Sequence, residues 1–283
     1  MAHLENVGRR SPERTTDPSL IQETKRPRFK PEPWISALIV FVFFAVWELL
    51  ARSGHISVLF FPPPTKILRS FFELLVNGKL VVHLKASLYR LTVGFVLGGL
   101  PGLILGLFMG WSPRTRGIVD PIIAALHPIP KIAIFPLILV VFGIGEASKI
   151  VAIAVAAFFP MLINSMAGVR QINPVYFEVS RNFGASLWKT FTRVVFPGSL
   201  PMVLTGFRLA FNIALVIAIA VELLAAKEGL GVMIWFSWQT LRIEELYASL
   251  ITTALLGISV NFAIQRLSTR LAPWYDDQPE RRP

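Results

Sequence analysis

Few side chains in this sequence have the type and position for acid–base or metal chemistry. Glu48, His127 and Glu222 each lie within an apolar stretch, where an ionisable group is costly and marks a functional site or an internal pair. No H-E-x-x-H or G-x-S-x-G sequence accompanies them, and the 4 histidines lack metal-ligand spacing. The chain has no cysteine, which excludes Cys nucleophiles, Cys-ligated metals and disulfides. We therefore predict no catalytic residue and no metal site, and a membrane-embedded enzyme is the less favoured interpretation.

The apolar stretches that carry these residues are long enough to cross a membrane. Of the 283 residues, 54% are hydrophobic and 16% are charged, whereas a soluble domain has about 25% charged residues. A spanning helix needs about 20 mostly apolar residues. The sequence therefore predicts an all-α polytopic membrane protein. Its six predicted transmembrane helices cover residues 34–51, 88–110, 119–142, 148–169, 201–223 and 246–266.

Positive charges outside the spans set the expected orientation. Residues 1–33, rich in proline and charge, predict a disordered cytoplasmic tail, and residues 273–283 predict a second cytoplasmic tail. Outside the spans, Lys and Arg number sixteen on the side of the N-terminus and seven on the other side. Because positively charged loops stay in the cytoplasm, both termini are predicted to be cytoplasmic. These loops also explain the net charge of +11, so no nucleic-acid partner is predicted.

The second span has a glycine at every fourth position. These are Gly94, Gly98, Gly102, Gly106 and Gly110. Small residues at this spacing let another helix approach closely, which matters in lipid because helices there are held together by packing. The row predicts a helix-packing surface. Whether it serves stability alone or a subunit or gating interface is left open by the sequence.

Two spans contain polar residues that are candidates for lining a pathway. The third span has four prolines around His127 and Lys131, which predicts a broken helix in the protein interior. In the fifth span, Arg208, Asn212 and Glu222 lie on one polar stripe with helical spacing. All five are candidates for lining a solute pathway, and His127 and Lys131 could contact an anionic solute. The two basic residues of the third span could instead reach lipid headgroups, and the stripe could instead pair with a neighbouring helix.

The predicted cytoplasmic loop 170–200 is too short to cross the membrane and too apolar to be a free loop. Asn173 before a proline predicts a helix start, Gly184 a helix end, and Ser186 a second short helix that should end before Pro197. Aromatic and aliphatic residues alternate with basic ones along the loop. We therefore expect a helix, a tight glycine turn and a helix that dock into a groove on another protein.

Glu178, Gly184 and Pro197 stand at specific separations in this loop. The arrangement resembles the EAA loop of permease subunits of bacterial ABC importers, in which Glu-Ala-Ala is followed by three residues, Gly, nine residues and Ile-x-Leu-Pro. Here Val-Ser replaces Ala-Ala, and Val and Phe replace Ile and Leu. Further segments resemble the branch of that superfamily for nitrate, sulfonate, taurine and bicarbonate. They are Phe61-Pro62-Pro63-Pro64, Ser87-Leu88-Tyr89-Arg90 with Gly94, Leu126-His127-Pro128-Ile129-Pro130, Phe142-Gly143-Ile144-Gly145-Glu146, Thr205-Gly206-Phe207-Arg208 and Glu228-Gly229-Leu230-Gly231.

The resemblance implies that residues 34–272 are the permease domain of a type I, binding-protein-dependent importer in the bacterial plasma (inner) membrane. It implies two cytoplasmic ABC ATPase subunits, a second permease copy, identical or related, and a periplasmic or lipid-anchored solute-binding protein. The chain has no G-x-x-x-x-G-K-[ST] phosphate loop, so we expect it to bind no cofactor, with ATP and Mg used by the partner ATPase. The implied solute is a small oxyanion or sulfonate, such as nitrate, bicarbonate, taurine or an alkanesulfonate. The alternative interpretation is a channel or secondary transporter that works without ATP.

The resemblance also implies which residues contact the ATPase. Those assigned to coupling are Glu178, Ser180, Phe183, Gly184, Ala185, Leu187, Arg193 and Pro197. In the family, this loop couples ATP-driven closure of the ATPase subunits to alternating access of the permease. We expect the rest of the domain to be surrounded by membrane lipid.

Overall fold

The computed structural model describes residues 32–274, and the regular elements within them are helices. The predicted tails, 1–33 and 273–283, lie outside these residues except for two positions each. The described chain divides after Val46 into two compact units, of which the second contains every helix after the first. The helices are α1 Glu32–Arg52, α2 Pro64–Val76, α3 Lys79–Trp111, α4 Pro113–Leu126, α5 Phe135–Phe142, α6 Glu146–Arg170, α7 Pro174–Asn182, α8 Leu187–Thr190, α9 Phe196–Ala225, α10 Leu230–Gln239 and α11 Ile243–Leu271.

Five of the described helical runs are long and apolar enough to cross a membrane. They are α1 from Trp34, α3, α6, the continuous run Leu187–Ala225 and α11. A sixth crossing is formed if Pro113–Leu126 and Lys131–Phe142, which are bent by 84° at a short break, make one broken span. Proline residues interrupt the helix at this break, because proline lacks a backbone N–H donor and has a fixed φ. The predicted all-α polytopic membrane fold is confirmed.

Helix α10 was not predicted from the sequence. It begins after Gly229, whose φ of +133° strongly favours glycine, and it packs against α9 and α11. Its ten residues are too few for a span, so a search for long apolar stretches does not find it. Together with α2, which also packs against α11, it closes one end of the helix bundle. Leu74, Leu230 and Met233 are buried there in a shared apolar cluster.

The glycine row of α3 packs against α6 of the same chain. A Cβ atom added at any of the five glycines would overlap with α6, for example with the side chain of Ile153 at Gly94 and with the carbonyl oxygen of Ala154 at Gly98. Backbone therefore lies directly against backbone, as small-residue rows allow in lipid. The space in front of the row is filled within one copy, so the contact belongs to the packing of the subunit.

Replacing Gly98 by Ala should destabilise the folded protein, because the new methyl group would overlap with the backbone of Ala154, which cannot rotate away. The expected cost is about 1–3 kcal/mol, as for other overpacked cores. Thermal unfolding of the purified protein in detergent measures it. The matched control is Gly99→Ala, where the added Cβ would lie 3.5 Å from the ring of Phe95, an ordinary contact. Equal melting temperatures for the two variants would contradict the packing described above.

Candidate functional site

The loop predicted to dock another protein, residues 173–197 and here called the elbow, has a fixed internal geometry. Asn173 caps α7, and its side-chain oxygen accepts a backbone hydrogen bond of 3.0 Å. The helix ends at Asn182, two residues before Gly184, whose φ is +64°, and the N–H of Ala185 donates to the carbonyl of Ser180 at 3.0 Å. This is the hydrogen-bond pattern of a glycine helix end, and it sets the direction in which the chain leaves α7.

Two side-chain contacts brace the turn. The hydroxyl groups of Ser180 on α7 and Thr190 on α8 lie 2.6 Å apart and share a hydrogen bond. Ser186 caps α8 by accepting the N–H of Lys189 at 3.3 Å. The two helices are therefore held at one angle by groups on both sides of the glycine. Ser180, Gly184 and Ala185, all predicted to act in coupling, have structural roles within the elbow.

The second helix of the elbow does not end before Pro197, contrary to the sequence-based expectation. Helix α8 passes into a π-helical turn, Phe191–Val195, and then into α9, which gives one run of 39 residues to Ala225. The N–H of Phe196 donates to the carbonyl of Phe191, five residues earlier. A wide turn of this kind gives the proline ring space inside a helix that a regular turn would not. The elbow is thus continuous with the fifth span.

Aromatic rings join the elbow to the membrane-spanning helices. The ring of Trp111, at the end of α3, stacks on Phe191 at 5.9 Å, and Phe191 stacks on Trp188 at 6.0 Å. Phe177 of α7 and Phe191 also pack against the core cluster formed by α3, α6 and α9. If the elbow moves, the ends of those helices must therefore either move with it or resist the movement.

The outer side of the elbow exposes large apolar side chains. Phe183, Leu187 and Trp188 are 86%, 77% and 73% exposed. Together with Tyr176 and Val179, which are also exposed, they form what we call the docking face. Isolated exposed apolar residues are normal, but a contiguous set on one short element marks an interaction surface. Glu178 is exposed beside this face, and Arg193 and Pro197 line a neighbouring cavity of about 490 Å³.

A buried charged cluster lies in the first half of α3, at the start of α6 and near the end of α9. The guanidinium of Arg90 on α3 donates to Glu146 at the start of α6 through Nε at 2.5 Å and Nη2 at 2.9 Å, and to Glu222 near the end of α9 through Nη1 at 2.9 Å. Nη1 also donates to the carbonyl of Glu228 at 2.5 Å. Lys149 adds an ion pair of 3.0 Å with Glu146. One arginine thus links three spanning helices and the loop before α10.

Glu222 is fully buried in this cluster. Besides Arg90, its carboxylate accepts the hydroxyl of Ser87 at 2.8 Å and the N–H of Gly231 at 3.0 Å. A Cβ at Gly229 would overlap with this carboxylate. Glycine is therefore favoured at this position by the lack of space as well as by the positive φ. Of the two roles that the sequence left open for Glu222, an internal pair accounts for its position. The sequence analysis assigned no role to Arg90 or Glu146, although each is the last residue of a segment that carries the family resemblance.

Arg208 and Asn212 lie on the α9 stripe, partly buried. Asn212 accepts a hydrogen bond of 2.9 Å from the side chain of Asn261 on α11. The Nε–H of Arg208 is buried and has no hydrogen-bond partner within residues 32–274. A buried unpaired donor is costly and calls for an acceptor. Arg208 differs in this respect from Asn212, whose side chain is paired with Asn261.

His127 and Lys131 lie at the break between α4 and α5. The ammonium of Lys131 donates to the carbonyls of His127 at 2.5 Å and Ile129 at 2.9 Å, and it lies 4.5 Å from the ring centre of Phe159. His127 is the residue that caps the end of α4, where a cation is favoured by the helix dipole. Lys131 also lines an apolar cavity of about 450 Å³ between α3, α6 and the break. Within the described residues, no three His, Asp or Glu side chains lie close enough to hold a metal ion.

Comparison with known proteins identifies the family. Residues 102–277 match the family of the binding-protein-dependent transport system inner membrane component. The chain belongs to this family. The prediction made from the EAA-like loop is thereby confirmed, and the protein is the permease component of an ABC importer.

Relatives of this permease span most of its length. The putative aliphatic sulfonates transport permease protein SsuC of Bacillus subtilis is 34% identical, covering 88% of this chain and 91% of the relative. The taurine transport system permease protein TauC of Escherichia coli is 34% identical, with 83% and 88% covered. The nitrate import permease protein NrtB of Synechocystis is 29% identical, with 87% and 91% covered. The fold is similar to that of the MetNI methionine ABC transporter in an inward-facing crystal form, with a TM-score of 0.55 and 22% identity over 71% of this chain and 97% of that chain.

Removing Arg90 should destabilise the permease strongly, because Glu222 would stay buried without its cation. Loss of one partner of a buried ion pair costs about 3–5 kcal/mol. We expect Arg90→Met to lower the unfolding midpoint, and the added change Glu222→Gln to restore part of the loss. The control is Arg69→Met, which removes an exposed pair of similar length, 2.8 Å, with Glu73 and should change the midpoint little. A double variant less stable than Arg90→Met would contradict the pairing.

Proposed function

We propose that the permease imports a small oxyanion or sulfonate, and that the docking face of the elbow receives the motion of ATPase subunits. The docking face is the observation that carries the proposal. Its large apolar side chains stand on a braced turn, and such a surface is stabilised when a partner covers it. Phe183 and Leu187, at the tip, are the expected centre of the contact, with Glu178 and Arg193 at its polar rim.

The elbow suits the transmission of force because it has few ways to bend. The glycine turn is braced by Ser180 and Thr190, and α8 continues through the π-helical turn into α9. At its other end, α9 holds Glu222 in the Arg90 cluster. A push on the elbow is therefore carried along one helix to a cluster that also holds α3 and α6. Helices that are packed and linked in this way can shift together, which is a common basis of switching.

The assembly follows from the family. We propose two ATPase subunits, which use ATP and Mg, a second permease copy, identical or related, and a periplasmic or lipid-anchored solute-binding protein. The elbow then faces the cytoplasm, and so do both termini, because α1 and α11 lie at the two ends of six crossings. The excess of Lys and Arg on that side of the sequence supports this orientation.

The names of the relatives, which cover sulfonates, taurine and nitrate, support an oxyanion or sulfonate as the solute. Arg208 also supports an anionic solute, because its guanidinium has an Nε–H without a partner and guanidinium groups bind oxygen anions well. We propose that Arg208 and Asn212, one helical turn apart, contact the solute. Lys131 and His127, at the break, would contribute to the electrostatic potential of the pathway.

Placing a charge on the docking face should detach the ATPase. We expect Phe183→Asp to abolish co-purification of the ATPase subunits and ATP-dependent uptake, because a carboxylate would have to be buried in an apolar contact. Affinity capture of the permease from membranes that hold both subunits measures assembly, and proteoliposomes measure uptake.

The control for this experiment is Val76→Asp, since Val76 at the end of α2 is 87% exposed, as much as Phe183. It should assemble normally. Retained assembly and uptake in Phe183→Asp, or uphill transport by the permease without any ATPase, would refute the coupling role.

Replacing Arg208 by Gln should reduce uptake of an anionic solute while assembly stays intact. The loss of one charge-assisted hydrogen bond, worth about 1.5–3 kcal/mol, corresponds to a decrease of about tenfold or more, and Arg208→Lys should recover part of it. Uptake of labelled taurine, an alkanesulfonate and nitrate is measured in proteoliposomes with the complete transporter, with Lys227→Gln as the control. Unchanged anion uptake in Arg208→Gln would count against the proposed contact.

A further inference from the structure

Three arginines line one cavity at the elbow end of the bundle, away from the docking face. The cavity has a volume of about 470 Å³, and its lining includes Arg116 of α4, Arg170 of α6 and Arg181 of α7, together with Trp111 and Phe177. We call it the arginine pocket. It joins the ends of α3 and α6 to the start of α4 and to α7. No residue assigned above to the solute pathway lines it.

The arginine pocket and the docking face use different sides of α7. Phe177 and Arg181 are four residues apart, so they lie on one face of the helix, which turns toward α3 and α6. Tyr176, Val179 and Phe183 follow each other by three and four residues and are exposed on another face. A partner that covers the docking face therefore leaves the pocket free for a different ligand.

The three positive charges are not neutralised within the described chain. None of the ion pairs among residues 32–274 involves Arg116, Arg170 or Arg181, and no Asp or Glu lines the cavity. Arg116 is half-buried, whereas Arg170 and Arg181 are exposed, so an anion can reach the cavity from outside. Like charges that line one cavity give it a positive potential, which favours a bound anion.

We propose that the arginine pocket binds a tetrahedral oxyanion group, either the phosphate of an anionic lipid headgroup or a free phosphate or sulfonate. Guanidinium groups match such oxygens with paired hydrogen bonds. Arginines and a tryptophan at the end of a span are also typical of the headgroup level of a membrane. The bound group bridges α4, α6 and α7, so it ties the elbow to the first half of the broken span. The inference does not depend on which solute the permease imports.

The test uses the complete permease–ATPase complex in nanodiscs of phosphatidylcholine, with or without phosphatidylglycerol. Native mass spectrometry counts the phosphatidylglycerol retained per permease, and calorimetric titration measures the affinity for inorganic phosphate and for methanesulfonate. Arg116→Gln and Arg181→Gln, which lie on different helices, should each weaken binding about tenfold. Arg114→Gln is the control, because Arg114 lies two residues from Arg116 but does not line the cavity.

A second measurement needs no variant. Phosphate or phosphatidylglycerol should protect Arg116 and Arg181, but not Arg114, from modification by phenylglyoxal, as read by peptide mass spectrometry. Retained phosphatidylglycerol that phosphate does not displace identifies a lipid site, whereas phosphate or methanesulfonate binding in phosphatidylcholine alone identifies a site for free anions. Either result supports the pocket.

The proposal is overturned if neither anion binds, or if the Arg114→Gln control weakens binding as much as the pocket variants. It is also overturned if Arg181→Gln releases the ATPase subunits while anion binding is unchanged. In that case the arginines belong to the subunit interface.

Discussion

The close approach of α3 and α6 is the contact on which the rest of the structure depends. In lipid, apolar side chains gain nothing by leaving their surroundings, so helices associate through packing and hydrogen bonds. The glycine row removes side chains from one face of α3 and lets its backbone lie against that of α6. This contact fixes the separation of two long helices, which share the Arg90 cluster and extend to the elbow.

The two halves of α3 carry different kinds of interaction. In the first half Arg90 joins α3 to the start of α6 and to Glu222 near the end of α9 through a buried network of charges. At the end of the second half Trp111 joins α3 to the elbow by aromatic stacking. Helix α9 connects the same two regions without interruption, because the π-helical turn accommodates Pro197. The elbow and the charged cluster are therefore mechanically linked along both helices.

Charged groups inside the bundle are mostly satisfied by the chain itself. Glu222 has Arg90, Ser87 and the backbone of Gly231, and Lys131 has the carbonyls of His127 and Ile129. Satisfied groups of this kind stabilise one arrangement of helices and have little capacity left for a ligand. Arg208, with its buried unpaired Nε–H, differs from them, which is why the proposed solute contact rests on it.

Much of this protein could be predicted from local sequence. Hydrophobic length predicted the long apolar helices, and prolines predicted the break between α4 and α5. Asn173, Gly184 and Ser186 predicted the helices of the elbow, because caps and glycine turns are properties of neighbouring residues. The continuation of the elbow through Pro197 was missed, since a π-helical turn has no distinct local signal.

Only the tertiary structure decided which residues meet. Glu146 and Glu222 lie 56 and 132 positions after Arg90 in the sequence, so no spacing rule could pair them with it. The partner of the glycine row and the cavity shared by Arg116, Arg170 and Arg181 depend in the same way on how distant helices pack. Local sequence patterns were enough to identify an all-α membrane permease of this family and to predict the short helices of its elbow. The packing of the helices determined which of its charges are held within the chain and which are left to bind something else.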